Sequence, residues 1–428
     1  MMLRIITGEQ YTTELKTSST TNINNEALDQ TVLNIIEQVR AKGDQALIDY
    51  TAQFDKVALD HLLVTEEEFN EASALVSDEF IVAIKKAHEN IKAFHGEQTE
   101  KSWFTTKESG ILLGQKITPL ASVGIYVPGG KATYPSTVLM NAIPAKIAGV
   151  KDIAITTPAG KDGKINPHVL VAAAEVGINT IYKVGGAQAV AALAYGTESV
   201  RKVAKIVGPG NAYVARAKKW VFGDVAIDMI AGPSEICVVA DETALPSYVA
   251  ADLLSQAEHD EQATAVCITT SQAFAQELQV EVEKQTSLLD RKAIIEKSIA
   301  DNGRIVLVDT LNEAFDLVNQ LAPEHLQLMT QNPMEHMQFI ENAGAIFLGN
   351  HSPEALGDYL AGPNHTLPTS GTSTFSSPLG VYDFIKRSSI IHYSEDALLN
   401  VADDIIILAN AEGLSAHANS IRVRKVDK

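Results

Sequence analysis

The chain has 428 residues, 46% hydrophobic and 20% charged, enough for two or three cored domains and unlike a disordered or fibrous protein. Its 34 lysines and arginines stand against 53 aspartates and glutamates, a net charge of -19. That charge repels phosphate backbones and anionic bilayers, so neither nucleic acid nor membrane is expected as a partner and a small molecule is.

The first ten residues, Met1 to Gln10, lack a sustained apolar core and turn polar by Glu9, unlike a secretory signal, and no apolar run reaches membrane-spanning length. Up to about Ile117 the pattern predicts mostly helix. Glu26–Ala52 and Glu66–Phe94 carry apolar residues three and four apart among charges. From Pro119 short apolar strands ending in glycine alternate with alanine-rich helices. Strands are predicted at Ala121–Val127, Ile153–Thr157, Thr180–Val184 and Lys205–Val207, with helices such as Thr137–Ala148 and Val169–Glu175 between them. A second set follows at Glu235–Ala240, Thr264–Thr269, Arg304–Val308, Leu326–Met329 and Ala345–Leu348. After Gly371–Pro378 the alternation stops and a largely helical tail runs to Lys428. The expected organisation is an N-terminal helical region over 1–118, one α/β lobe over 119–234, a second over 235–378 and the tail over 379–428. The fold class is α/β, with two incomplete Rossmann-like lobes whose parallel sheets are covered on both faces. A crevice between the lobes is the expected place for a ligand. Cys237 and Cys267, the only cysteines, lie in strand-like runs, as core residues of a chain kept in a reducing cytoplasm do.

Three strand ends carry glycine loops: Tyr126–Gly130, Val184–Gln188 and Val207–Asn211. Such glycines either make tight turns or let backbone amides approach an anion at a helix start. Three in one lobe favour the ligand. The usual Gly-x-Gly-x-x-Gly fingerprint with a later acidic residue is absent, so any NAD would bind in an atypical manner.

The chemistry-bearing residues cluster later. Gln256 and His259, three apart at a predicted helix end, can share one face and offer an amide oxygen and an imidazole nitrogen to a divalent cation. Glu324 and His325 precede an apolar strand, where neighbours point to opposite sides and would address different protons rather than each other. Asp358, His365 and His417 lie in turn-rich junctions, unlike the remaining histidines, which read as surface or packing residues. A set of Gln256, His259, Asp358 and His417 would supply two oxygens and two nitrogens without thiolate, suiting zinc but also manganese or cobalt.

Ten segments in order, among them Val123–Lys131, Tyr134–Asn141, Asp228–Glu235, Leu253–His259, Ala322–His325, Gly357–Tyr359, Gly362–Pro368 and Glu412–His417, make the chain resemble the histidinol dehydrogenase family from about Pro119 to its end. The resemblance implies an NAD-dependent, zinc-containing oxidoreductase of histidine biosynthesis, taking L-histidinol through histidinal to L-histidine in a four-electron oxidation. It implies Gln256, His259, Asp358 and His417 as zinc ligands and Glu324 and His325 as the catalytic acid-base pair. Tyr126, Gln188 and Asn211 match NAD-contacting positions. Ser234, His365 and Glu412 match substrate-contacting ones, bordered by His325 and the metal ligands. It further implies an intertwined homodimer with shared sites, the tail reaching the partner subunit. Cys237, three residues after Ser234, invites a thiohemiacetal, but the family's site does not rely on it and a strand-core role is the better reading. Two rival readings are a zinc hydrolase using Glu324 to activate a metal-bound water and a two-lobe binding protein. The first leaves the glycine loops without a task, and the second does so for the Glu324–His325 dyad.

Overall fold

The computed structural model describes residues 3–21, 26–106, 110–129 and 133–426. Gly130 and Lys131, at the end of the first glycine loop, lie outside the described residues. The chain divides into two compact units, one of Met1–Gln98 and Ala121–Phe384, the other of Thr99–Leu120 and Ile385–Lys428.

Strand β1 (Arg4–Thr7) opens the first unit and is followed by amphipathic helices, including Glu26–Lys42 and Asp78–Gly96. The short strands β2 (Trp103–Thr105) and β3 (Ile111–Pro119) belong to the second unit. Five parallel strands then form one sheet: β4 (Ser122–Tyr126), β5 (Asp152–Thr156), β6 (Ile181–Tyr182), β7 (Lys205–Val207) and β8 (Ala226–Ile227), in the order β6-β5-β4-β7-β8. Four more, β9 (Glu235–Ala240), β10 (Thr264–Thr269), β11 (Arg304–Leu307) and β12 (His325–Met329), with β13 (Ala345–Leu348) and β1, make a six-stranded parallel sheet ordered β1-β11-β10-β9-β12-β13. Helices cover the sheets, so the strands are apolar almost without interruption: every residue of β9 and β10 after the first is buried. The α/β class with two parallel-sheet lobes is the fold observed.

The helical N-terminal region and the helical tail are both observed, each with strands added to it. The N-terminal region is not only helical, since it contributes β1 to the edge of the second lobe's sheet and β2 and β3 to the other unit. The tail begins with β14 (Ile385–Tyr393), antiparallel to β3 over nine residue pairs, before its two helices, Glu395–Ala411 and Ser415–Val426. Both cysteines are fully buried in β9 and β10, and burial pushes the Cys237 thiol far above its ordinary value. The protonated, inaccessible thiol is a core residue, as expected, and not a nucleophile. Among the described residues no helix is long and apolar enough to cross a membrane.

Candidate active site

The candidate residues stand at carboxyl ends of strands in one sheet and at amino ends in the other. The glycine loops follow the carboxyl ends of β4, β6 and β7, whereas Glu235, His325 and Ala345 open β9, β12 and β13 in adjacent register. Thr137, in the helix after β4, donates its hydroxyl to Nε2 of His365 at 3.3 Å, and the Gly232 amide donates to Thr369 Oγ1 at 2.6 Å. A cavity of about 540 Å³ opens beside this junction, lined among others by His325, Asp358, His365, Phe347 and Tyr382.

His325 donates Nδ1–H to the main-chain carbonyl of Glu235 at 2.9 Å. That bond fixes the tautomer of the neutral ring and leaves Nε2 as its lone-pair end, buried and without a protein partner. Burial first, then the nearby His259 and His365, brings its pKa down to about 4, so the imidazole is neutral and proton-accepting at physiological pH. Glu324 Oε2 accepts the Glu235 amide at 2.9 Å and stands 3.7 Å from His325 Nδ1. The expectation that these neighbours diverge is therefore not met: β12 starts only at His325, and Ala322 turns through a left-handed conformation at φ 49°, so Glu324 lies outside the pleat. Both side chains grip the same residue of β9. Burial, with Glu235, Asp358 and Glu354 nearby, holds the Glu324 carboxyl well above the usual range.

The helix Pro246–Ala257 ends two residues before His259, short of what the Gln256–His259 reading requires. His259 instead sits in the following turn, its amide bonded to the Gln256 carbonyl at 3.2 Å, with Nδ1 3.4 Å from Ser234 Oγ. Gln256 is fully buried, and neither its Oε1 nor its Nε2 has a partner. Asp358 Oδ1 lies 3.8 Å from His325 Nε2 and 3.9 Å from His365 Nδ1; His365 donates Nδ1–H to the Asp358 carbonyl at 3.0 Å. Ser234, Gln256, His259, Glu324, His325, Asp358 and His365 thus all belong to the first unit. Glu412 and His417 belong to the second, Glu412 ending one helix and His417 on the next, both exposed.

Glu354 is the residue sequence reasoning missed. It precedes Asp358 by four on the helix Glu354–Tyr359, a spacing that places two carboxyls on one face. Ligand atoms of His325, Glu354 and Asp358 lie within 4.8 Å of one another, and Ser255 donates to Glu354 Oε2 at 3.0 Å. Burial and the neighbouring Asp358 push the Glu354 carboxyl up to about 8, and burial pushes that of Asp358 up to about 6. Glu235, whose Oε2 is buried and unpartnered, rises to about 7, chiefly by burial.

The orphaned polar atoms fit a cation. Buried amide and imidazole atoms without partners are uncommon in folded chains, and the amide oxygen of Gln256, the imidazole of His259 and the carboxylates of Asp358 and Glu354 are of the types that suit a divalent metal of the zinc, manganese or cobalt kind. A pH-dependent response to metal removal follows. Each raised carboxyl binds more protons folded than unfolded, so its contribution is complete below the ordinary carboxyl range and is lost as pH rises through about 6, 7 and 8 for Asp358, Glu235 and Glu354. His325 and His365, lowered to about 4 from 6.5, contribute above 6.5 and lose that contribution as pH falls toward 4. The chelator-treated protein is expected to lose stability steadily from about pH 6 to about pH 8, with zinc raising the midpoint most at the alkaline end because ligands must be deprotonated. A midpoint of the chelated protein that climbs from pH 6 to 8 would contradict these proton positions.

The second and third glycine loops do not present free amides throughout. The Tyr126 hydroxyl accepts the Gly186 amide at 3.0 Å, Asp228 accepts that of Gly208 at 2.8 Å, and Asn211 Oδ1 accepts those of Tyr213 and Val214 at 3.0 and 3.2 Å. Tyr126 and Gln188 are buried, and Asn211 is exposed at the head of its helix.

Comparison with known proteins follows the same lines. The family profile described as histidinol dehydrogenase matches residues 18–425. The histidinol dehydrogenase of Oceanobacillus iheyensis is 58% identical over 423 residues, covering 99% of each chain. That of Bacillus subtilis is 57% identical over 396 residues, covering 92% of this chain and 93% of its own. The crystal structure of histidinol dehydrogenase from Elizabethkingia anophelis superposes with a TM-score of 0.90 at 42% identity, covering 94% of this chain and 93% of that one.

Proposed function

We propose, from the premise that this chain belongs to the histidinol dehydrogenase family, that it oxidises L-histidinol through histidinal to L-histidine, consuming two NAD and one water and producing two NADH. The observation that carries the reading is a buried histidine whose Nδ1 is spent on the Glu235 carbonyl and whose Nε2 is unpartnered beside Asp358. A site that removes a hydroxyl proton needs such a group.

In this reading Gln256, His259 and Asp358, with His417 of a second copy in a homodimer, hold zinc. Bound there, zinc would supply a Lewis-acidic charge for the lone pairs of the substrate's imidazole and amino nitrogens. Ser234, His365 and Glu412 complete the substrate contacts, and holding the carbinol in one orientation removes part of the entropic barrier. NAD, near Tyr126, Gln188 and Asn211, supplies the hydride acceptor. His325 Nε2 takes the hydroxyl proton in the first oxidation and the hydrate proton in the second. Glu324, held by the Glu235 amide, takes a proton from water as the water oxygen adds to the aldehyde carbon. Protonated His325 returns its proton to the aldehyde oxygen, so that it is a free base again for the hydrate, and Glu324 releases its proton to solvent. Positive charge in the site favours the ionised Glu324 that this step needs, since burial alone keeps it protonated. Retaining the aldehyde avoids release of a reactive amino aldehyde. The protein acts in the cytoplasm in histidine biosynthesis.

The test is product analysis. With L-histidinol, NAD and zinc the purified chain is expected to form L-histidine without accumulating histidinal in solution. Hydrolysis of amides with no NADH, or binding without turnover, would overturn the proposal in favour of the hydrolase or the binding protein.

A further inference from the structure

We infer that the buried pair Lys218–Asp228 is a positioning device that locks the cofactor-contacting loops in register. The two side chains are 2% and 1% exposed and form a short ion pair. Lys218 Nζ donates to the Gly208 carbonyl at 2.9 Å, and Asp228 Oδ2 accepts the Gly208 amide at 2.8 Å. Both main-chain polar groups of one glycine are thus clasped by one pair of opposite charges. Asp228 Oδ1 also accepts the amide of its neighbour Met229 at 2.6 Å.

Gly208 is where the loops meet. It sits at φ +109°, and a Cβ there would stand 2.2 Å from the Tyr126 carbonyl oxygen, so its peptide is packed against Tyr126 without room for a side chain. Tyr126 in turn holds the Gly186 amide through its hydroxyl, two residues before Gln188. Asn211, three residues beyond Gly208, caps the helix Ala212–Val221 that carries Lys218. A shift of the Gly208 peptide is therefore transmitted to all three positions assigned to the cofactor.

Apolar residues of the same volume would be at least as stabilising as a buried ion pair. They would supply neither the donor nor the acceptor that Gly208 uses. The pair's specific contribution is therefore orientation of one peptide.

The inference rests on the proposed cofactor contacts of Tyr126, Gln188 and Asn211. It is tested in the full-length, zinc-loaded protein with two double variants, K218M/D228L and K218M/D228N, neither of which leaves a charge unpaired. The KM for NAD is expected to rise on the order of 10- to 100-fold in K218M/D228L, and by less in K218M/D228N, where the asparagine oxygen can still accept the Gly208 amide. The KM for histidinol and the zinc content are expected to stay within about twofold, because neither residue touches that half of the site. Should K218M/D228L fail to fold, K218M/D228N decides alone. An unchanged KM for NAD in a folded variant overturns the inference, as does a parallel loss of NAD, histidinol and zinc binding. Failure of the unaltered protein to bind NAD would instead remove the cofactor reading, and the inference with it.

Discussion

Replacing His325 by Asn is expected to lower kcat by about 10²–10⁴-fold with zinc content unchanged. Asparagine can still donate its amide N–H to the Glu235 carbonyl that now accepts Nδ1–H at 2.9 Å, so the start of β12 keeps its anchor. What disappears is Nε2, the atom that is buried, unpartnered and 3.8 Å from Asp358. Both oxidations need a base at the carbinol or hydrate oxygen, so both half-reactions are expected to slow together. NADH formation from histidinol and from histidinal, with metal analysis of the same preparations, reads the effect. A variant that keeps kcat would show that Nε2 takes no proton in the reaction.

Glu324→Gln should divide the reaction instead of stopping it. Glutamine presents the same acceptor to the Glu235 amide, now 2.9 Å from Oε2, but cannot take a proton from water. Histidine formation is expected to fall by about 10²–10⁴-fold, while reduction of histidinal by NADH, which needs no water, remains within about tenfold of the unaltered rate. Steady-state rates in the two directions measure this split. Equal losses in both would assign Glu324 a role common to the two oxidations and contradict the separation of tasks.

The strands that carry the site were legible because a parallel sheet covered on both faces buries nearly every residue: Ile236–Ala240 and Ala265–Thr269 are unbroken buried runs. Strands β3 and β14 were not. They have no fully buried residue, and Ile391 is 74% exposed, so neither alternation nor a continuous apolar run marks them. The four residues of β1 were too few to show a period. At the site, residue types and turn-rich settings pointed to Asp358 and His325, while Glu354 escaped although its four-residue spacing from Asp358 was visible. The approach of Glu324 to His325 depends on the left-handed turn at Ala322, a non-glycine conformation that no local residue signals. The glycine loops were read for their free amides, yet those of Gly186 and Gly208 go to Tyr126 and Asp228, 60 and 20 residues away. Partners so distant in the chain emerge only with the fold.

One active site is proposed to perform both oxidations on a substrate it does not release. Counting NADH formed per L-histidine during turnover of L-histidinol, with free histidinal trapped and quantified, tests it most directly. Two NADH per histidine with no trapped aldehyde is the expected result. One NADH per turnover with histidinal as the product, or histidine formed only after aldehyde has passed through solution, would contradict it.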